Sequence, residues 1–387
     1  MAASVIISTG TVADGPGYAQ GQHGIYYDAV TSLYWAFVYR SASATTLYAF
    51  YSADLITWST PTNPTFTLAH TNNGRGACLG VAYKNISGHA VFWFSHYSDN
   101  TGGTANDDTV RATVAGTTVT WGASVNRDSN PAVGASLAAP TALSSGNFLF
   151  FWDSSAALQN FFSVVSSGTA DTGAAAAGGS FAFPQGHTYA TTIKVAALLM
   201  LSSGDNGLVL NENGTPNNVQ WAAIGRNSMG TAANVFGSSV AMDKNDWGCA
   251  YRTDADIHVV RRTGSNSYEH VRWNGTSFGA GQSIPTQTSK SGAGVAMCSD
   301  GTSVWLFIVD SATGNAVRYS TWTTGGGWAA WRDAETSSKV RTNVTATLAQ
   351  ATGTIAVAWS QVNGTNFDYA VSAVPMVPPS YRGRRTL

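Results

Sequence analysis

The chain has 387 residues, 44% of them apolar but only 11% charged, and a net charge of −1, where an ordinary soluble domain is about a quarter charged. That balance supplies a sizeable core, which excludes a disordered chain, and it offers no basic stripe for displacing counterions from nucleic-acid phosphates. No apolar run is long enough to insert in a membrane, and Met1–Ile7 lacks the basic region and long apolar core of a secretion signal, so none is expected.

Taken in chain order, the first strand-like segment is Ser4–Thr9, which belongs to no repeat. A strongly apolar, aromatic run then recurs seven times: Leu33–Arg40, His89–His96, Asn147–Ser154, Ala196–Ser203, Asp246–Thr253, Ser303–Asp310 and Thr354–Gln361. Their starts lie between 49 and 58 residues apart, the length of a four-stranded propeller blade with its loops. Near-continuous apolarity means that both faces of each run are covered. Smaller segments precede some of them, Gly76–Tyr83, Gly237–Asp243 and Gly292–Ser299, as crowded inner strands require. Asn-Gly pairs at Asn206, Asn213, Asn274 and Asn363 read as hairpin turns, and the Gly-flanked run Ala174–Ala177 as loop.

The last repeat is short, because Pro375, Pro378 and Pro379 end strand pairing. The pattern therefore predicts an all-β chain: a single β-propeller over residues 1–375, seven four-stranded blades, closed by the N-terminal strand 4–9 pairing into the last blade, then a tail over 376–387. Six blades stay open as an alternative, since repeats four and five are ambiguous in register. Cys78, Cys249 and Cys298 sit in apolar runs and read as buried thiols; neither a disulfide framework nor a metal or other cofactor is expected.

Glycoside hydrolysis usually requires two carboxylates about 5–10 Å apart, one with a raised pKa. The chain has three Glu, of which Glu212 reads as turn, Glu335 as loop and Glu269 as strand beside His270. Asp28, Asp153, Asp243 and Asp310 lie at strand ends and are the better acids, although a turn-capping Asp bonding to nearby amides is the favoured reading of each. Arg40, Arg252 and Arg318 do not occupy equivalent positions, as three convergent sialidase arginines would. Gly275-Thr276-Ser277-Phe278-Gly279 matches a nucleophile elbow without the helix that motif needs, and reads as a hairpin turn. Asn106-Asp107-Asp108 and Asp254-Ala255-Asp256 lack a full calcium ligand set. His23 and His187 precede comparable strands and read as structural. Among the aromatics, Trp35, Trp93, Trp152, Trp305 and Trp359 read as core. Trp322, Trp328 and Trp331 in a Gly-rich hairpin, with Tyr26 and Tyr27, are the candidates for stacking on a sugar, the alternative for them being wedges between blades.

Tyr51–Ser59 (YSADLITWS) resembles the Ser-x-Asp-Leu-x-x-Trp hairpin of furanosidase-type glycosidases and the Asp-box of sialidases. The resemblance implies a structural turn in which Asp54 binds backbone amides and Trp58 wedges between strands. Asn315–Asp333 is similar to the Trp-rich blades of propeller lectins. The charge-poor, Gly/Ser/Thr-rich whole resembles a bacteriophage or other virus structural protein. That resemblance implies a virion location, other subunits and surface glycans as partners, and an assembly tail carrying Tyr381, Arg382, Arg384 and Arg385. The expectation is a non-enzymatic assembly or attachment module, with a soluble lectin and a glycosidase as alternatives.

Overall fold

A computed structural model describes residues 4–10, 24–39, 46–67, 78–99 except 87, 105–128, 141–142, 148–153, 160–166, 181–182, 196–200, 207–213, 218–240 except 226, 227 and 232, 246–289, 293–335 except 312–314, 341–349 and 353–376. Among the described residues there is no helix, and the strands form seven antiparallel sheets. Sheet one runs Tyr26–Asp28, Leu33–Tyr39, Thr46–Ser52 and Trp58–Ser59 in simple succession. Sheets two to six repeat this meander, opening at Cys78–Ile86, Thr141–Ala142, Ala196–Met200, Trp247–Thr253 and Val295–Ser299. Sheet seven consists of Arg341–Ala349, Thr354–Asn363 and Asn366–Pro375, and its fourth strand is Val5–Gly10 from the other end of the chain. Val5 pairs with Val371 and Gly10 with Phe367, with a bulge between Ile6 and Ser8.

The second strand of each sheet carries the packing, because alternate residues point to opposite faces. Trp35 and Phe37 pack towards sheet two with Phe92 and Phe94, whereas Tyr34, Ala36 and Val38 pack towards sheet seven with Ala356, Ala358 and Val371. In sheet six, Trp305, Phe307 and Val309 meet Ile355, Val357 and Trp359 of sheet seven, while Val304, Leu306 and Ile308 meet Val260 and Tyr268 of sheet five. Leu208, Leu210 and Val219 of sheet four meet Trp247, Ile257 and Val259 of sheet five. Thr141–Ala142 of sheet three lies beside the first strands of sheets two and four. The sheets thus touch in sequence, and the seventh touches the first. Each large side chain so buried contributes roughly 1.5–3 kcal/mol.

Two repeats differ from the sequence reading. Ala196–Met200 and Trp247–Thr253 are first strands, not second ones; the second strands are Gly207–Asn213 and Asp256–Arg262. These carry Asn, Glu, Asp, His and Arg, and so lacked the apolar signature that marks the other five. Gly237–Asp243 is not the inner strand of its repeat: the described part, 237–240, is irregular. The Ala174–Ala177 run and the tail from residue 377 lie outside the described residues.

First strands are small where neighbouring backbones approach. A Cβ on Gly248 would collide with the carbonyl oxygen of Val295 in the next sheet, and Val344 donates its amide to the Ala293 carbonyl at 3.2 Å. Gly237 has open space around its Cβ position. Gly248→Ala should therefore cost about 1–3 kcal/mol in urea denaturation, the usual effect of overpacking, while Gly237→Ala should leave the midpoint within error.

Candidate functional site

The chemistry gathers on sheet five. Its second strand, Asp256–Arg262, sends Ile257, Val259 and Arg261 towards sheet four and Asp256, His258, Val260 and Arg262 towards sheet six. The third strand, Tyr268–Trp273, matches it residue for residue, with Arg261 opposite Glu269, Val260 opposite His270 and His258 opposite Arg272. Cross-strand pairing thus puts charge against charge on the sheet-four face and gathers imidazoles and Arg272 on the sheet-six face.

On the sheet-four side Arg261 is fully buried, and its Nε and Nη2 donate to Glu269 Oε2 at 2.9 and 2.5 Å. Nη2 also reaches Ser238 Oγ at 3.1 Å, and the guanidinium lies 4.2 Å from the Phe236 ring centroid. The carboxylate is anchored through one oxygen, which leaves Oε1 towards a groove of about 560 Å³ lined by Asn234, Phe236, Ser238, Glu269, Phe278 and Gly281. Gly281 leaves the Glu269 carboxylate its place: a Cβ there would fall on it and force it to move. Across the Gly279–Gly281 backbone lies a second hollow of about 400 Å³, lined by Ala255, Arg272, Trp273, Asn274 and Gln282. A glycine saddle therefore separates an acceptor, Glu269, from a donor, Arg272.

On the sheet-six side Asp256 holds three groups. Arg272 donates to Oδ1 through Nε at 3.0 Å and Nη2 at 2.8 Å, Arg252 donates to Oδ2 at 2.5 Å, and His258 Nε2 lies 3.0 Å from Oδ1, near but off the line of a good hydrogen bond. His258 Nδ1 lies 2.9 Å from His270 Nε2, with the rings stacked at an interplanar angle of 6°. Trp328 Nε1 donates to His270 Nδ1 at 3.2 Å, and Arg272 lies 4.6 Å from the Trp322 ring centroid. Burial first, and the nearby Arg272 cation after it, hold His258 down to about 4; burial and the neighbouring His258 hold His270 down to about 3.

The structure distributes the sequence candidates widely. Trp322 is buried and Trp328 and Trp331 are half-buried against the seam of sheets five and six, so they are wedges there and not open stacking faces. Trp331 Nε1 donates to the Pro285 carbonyl at 2.7 Å. Tyr26 and Tyr27 are half-buried as well: Tyr26 packs edge-on to Phe92 and donates to the Val81 carbonyl, while Tyr27 rests on Tyr34. Asp54 Oδ1 accepts the amides of Ile56 and Thr57 at 2.8 and 2.7 Å, which hold its carboxyl below the usual range, and Trp58 packs on the core between sheets one and seven. Asp28 is buried and accepts from Thr31 and Tyr83; Asp310 is buried and paired with Arg318 at 3.0 Å. Arg252 and Arg318 serve different carboxylates and do not converge. Ser277 caps the Asn274 turn, its amide donating to Asn274 Oδ1. The side chains of Asp153, Asp243, Arg40, His23, His187 and Trp152, and the residues Tyr381, Arg382, Arg384 and Arg385, lie outside the described residues.

Reading the sequence missed the Arg261–Glu269 pair and the His258–His270 pair. A signal was present: DIHVVRR followed by YEHVRW puts like periodicities of charge and imidazole on two strands joined by a short turn, which pairing must superpose.

Four-stranded antiparallel meanders that touch in succession, with the chain ends sharing one sheet, define an all-β fold of the β-propeller class. No family model matches the chain, and no curated protein matches it. Among solved structures it is similar to the NanB sialidase from Streptococcus pneumoniae over 97% of this chain and 71% of that one, at 10% identity and a TM-score of 0.54. It is also similar to the lectin of Aleuria aurantia, a six-bladed β-propeller, over 84% of this chain and 98% of that one, at 14% identity and a TM-score of 0.50. At these identities the likeness shows the fold.

Arg261→Ala should cost roughly 2–3 kcal/mol in denaturant, below the 3–5 kcal/mol of a fully buried pair because Glu269 keeps some contact with water. Arg261→Lys should recover less than half of it, lacking the planar fork.

Proposed function

We propose that the chain is a carbohydrate-binding propeller that holds its ligand without turning it over, with the groove beside Glu269 as its principal contact. The observation that carries this is a carboxylate fixed through one oxygen by a buried arginine, with the other turned to a groove across a glycine. Sugars present hydroxyl donors and apolar C–H faces; Glu269 Oε1 suits the former and the Phe278 ring the latter. The fold shared with a lectin and a sialidase supports the same class. Among the described residues Glu269 is the one carboxylate lining the two hollows, whereas hydrolysis by the two-carboxylate route, which sialidases do not share, calls for a second some 5–10 Å away.

A glycan array should show selective binding, and Fucα1-6GlcNAc and sialylated oligosaccharides, the chemistries of the two similar proteins, belong on it. Glu269→Gln and Gly281→Ala should each weaken the leading saccharide tenfold or more in calorimetry; Glu269→Gln leaves the buried Arg261 without its anion and should also lower stability, so its binding is measured at a temperature where circular dichroism shows it folded. Uniform failure to bind overturns the proposal, and turnover of a chromogenic sialoside or fucoside overturns its non-catalytic part.

The finer reading is that this propeller is a structural or host-attachment part of a virus particle. Support comes from composition: 11% charged residues with 41 Gly is a surface made of Ser, Thr, Asn and Gly. Mass spectrometry of purified particles from the source should find the chain in stoichiometric amount; its absence from particles that bind their host overturns this reading.

A further inference from the structure

The seam between sheets five and six contains a chain of contacts whose direction one group dictates. An indole nitrogen can only donate, so His270 Nδ1, 3.2 Å from Trp328 Nε1, must accept. The His270 proton is therefore on Nε2, and His258 Nδ1, 2.9 Å away, must accept it. That leaves the His258 proton on Nε2, facing Asp256 Oδ1. Three of the four ring nitrogens are in hydrogen bonds and the fourth, His258 Nε2, carries its proton near Asp256, so neither neutral ring has a lone pair open to water. A proton arriving at His270 Nδ1 displaces the Trp328 indole; one arriving at His258 Nδ1 sets N–H against N–H. Either way a contact must break, and the His270–Trp328 bond joins sheet five to sheet six.

The surroundings oppose the new charge. From sheet five the rings face Asp256, Arg252, Arg272 and the Gln282 amide; from sheet six they face Trp322 and Trp328. Asp256 is the one anion among these and already serves two arginines, so an added imidazolium makes three cations on one carboxylate. Arg272 is the more exposed of the two arginines and also lines the smaller hollow. We propose that the His258–His270 pair is an acid-operated latch: proton uptake parts Trp328 from His270, releases Arg272 from Asp256, and so lowers affinity for a sugar that reaches from the groove across the glycine saddle to Arg272. The ligand part rests on the carbohydrate reading above.

The window follows from the groups. Well above pH about 6.5 both rings are neutral whether the seam is shut or open, and nothing changes. As pH falls below that, an opened seam binds protons that the shut one refuses down to about 4 and 3, so the shut form loses stability progressively between these limits. Asp256, held below its ordinary value, contributes only below this window.

The test follows the Trp328 indole N–H resonance, assigned with Trp328→Phe, from pH 7.5 to 4, alongside the affinity for Fucα1-6GlcNAc or whichever array saccharide ranks higher. His270→Gln is the informative variant, since a glutamine amide accepts from Trp328 and donates to His258 without titrating. The expected result is a stepwise loss of the indole signal and at least a tenfold loss of affinity in the wild type, both displaced to lower pH in His270→Gln, where His258 alone still titrates. A signal that persists to pH 4 in the folded wild type, or fails at the same pH in both proteins, overturns the latch. Unchanged affinity across a wild-type step overturns its control of the groove while leaving the carbohydrate reading standing. No saccharide binding at pH 7.5 overturns that reading, and the indole titration still decides the latch.

Discussion

Coverage of both faces of each second strand is the constraint on which the rest of this structure depends. A strand such as Ser303–Val309 buries Val304, Leu306 and Ile308 on one side and Trp305, Phe307 and Val309 on the other. No such strand can be satisfied by one neighbour, so each sheet needs two, and a finite row of sheets would leave two wet ends. Contact between sheet seven and sheet one, through Ile7, Ile25, Tyr34 and Val371, removes them. The first strands then approach one another and must be small where their backbones meet, as Gly248 against Val295 shows.

Sheet five departs from this apolar rule, and its departures are matched group for group. Where sheets six and seven meet on Trp, Phe, Ile and Val, sheets five and six meet partly on Asp256, His258, His270 and Arg272. A polar seam of this kind contributes little net stability against an apolar one. What it adds is directionality: each hydrogen bond fixes the next, and groups so fixed can present Arg272 and Glu269 to the hollows on either side of the glycine saddle.

Much of the architecture was legible in the sequence because burial on two faces leaves an unmistakable run such as LYWAFVYR or SVWLFIVD. The pairing of Ser4–Thr9 with the last hairpin was legible too, from a strand surplus at one end and a deficit at the other. Register failed in repeats four and five for a physical reason: Gly207–Asn213 carries Asn211, Glu212 and Asn213, and Asp256–Arg262 buries and pairs polar side chains, so the most apolar run nearby was the first strand. The aromatic candidates failed similarly. Trp322, Trp328 and Trp331 stand in a Gly-rich hairpin, but twist carries that hairpin against sheet five, where their rings find packing partners and two of their indoles find acceptors. The Arg261–Glu269 pair is eight residues apart in sequence and became visible only once the hairpin register was known.

The bond between the first strand and the last hairpin also sets an order of events during synthesis. Val5 waits for Val371, so a nascent chain must carry Val5–Gly10 unpaired while nearly every other sheet can assemble behind it. Premature termination therefore yields a stack with two unsatisfied faces rather than a smaller finished object, a product that cellular quality control can recognise by its exposed edges.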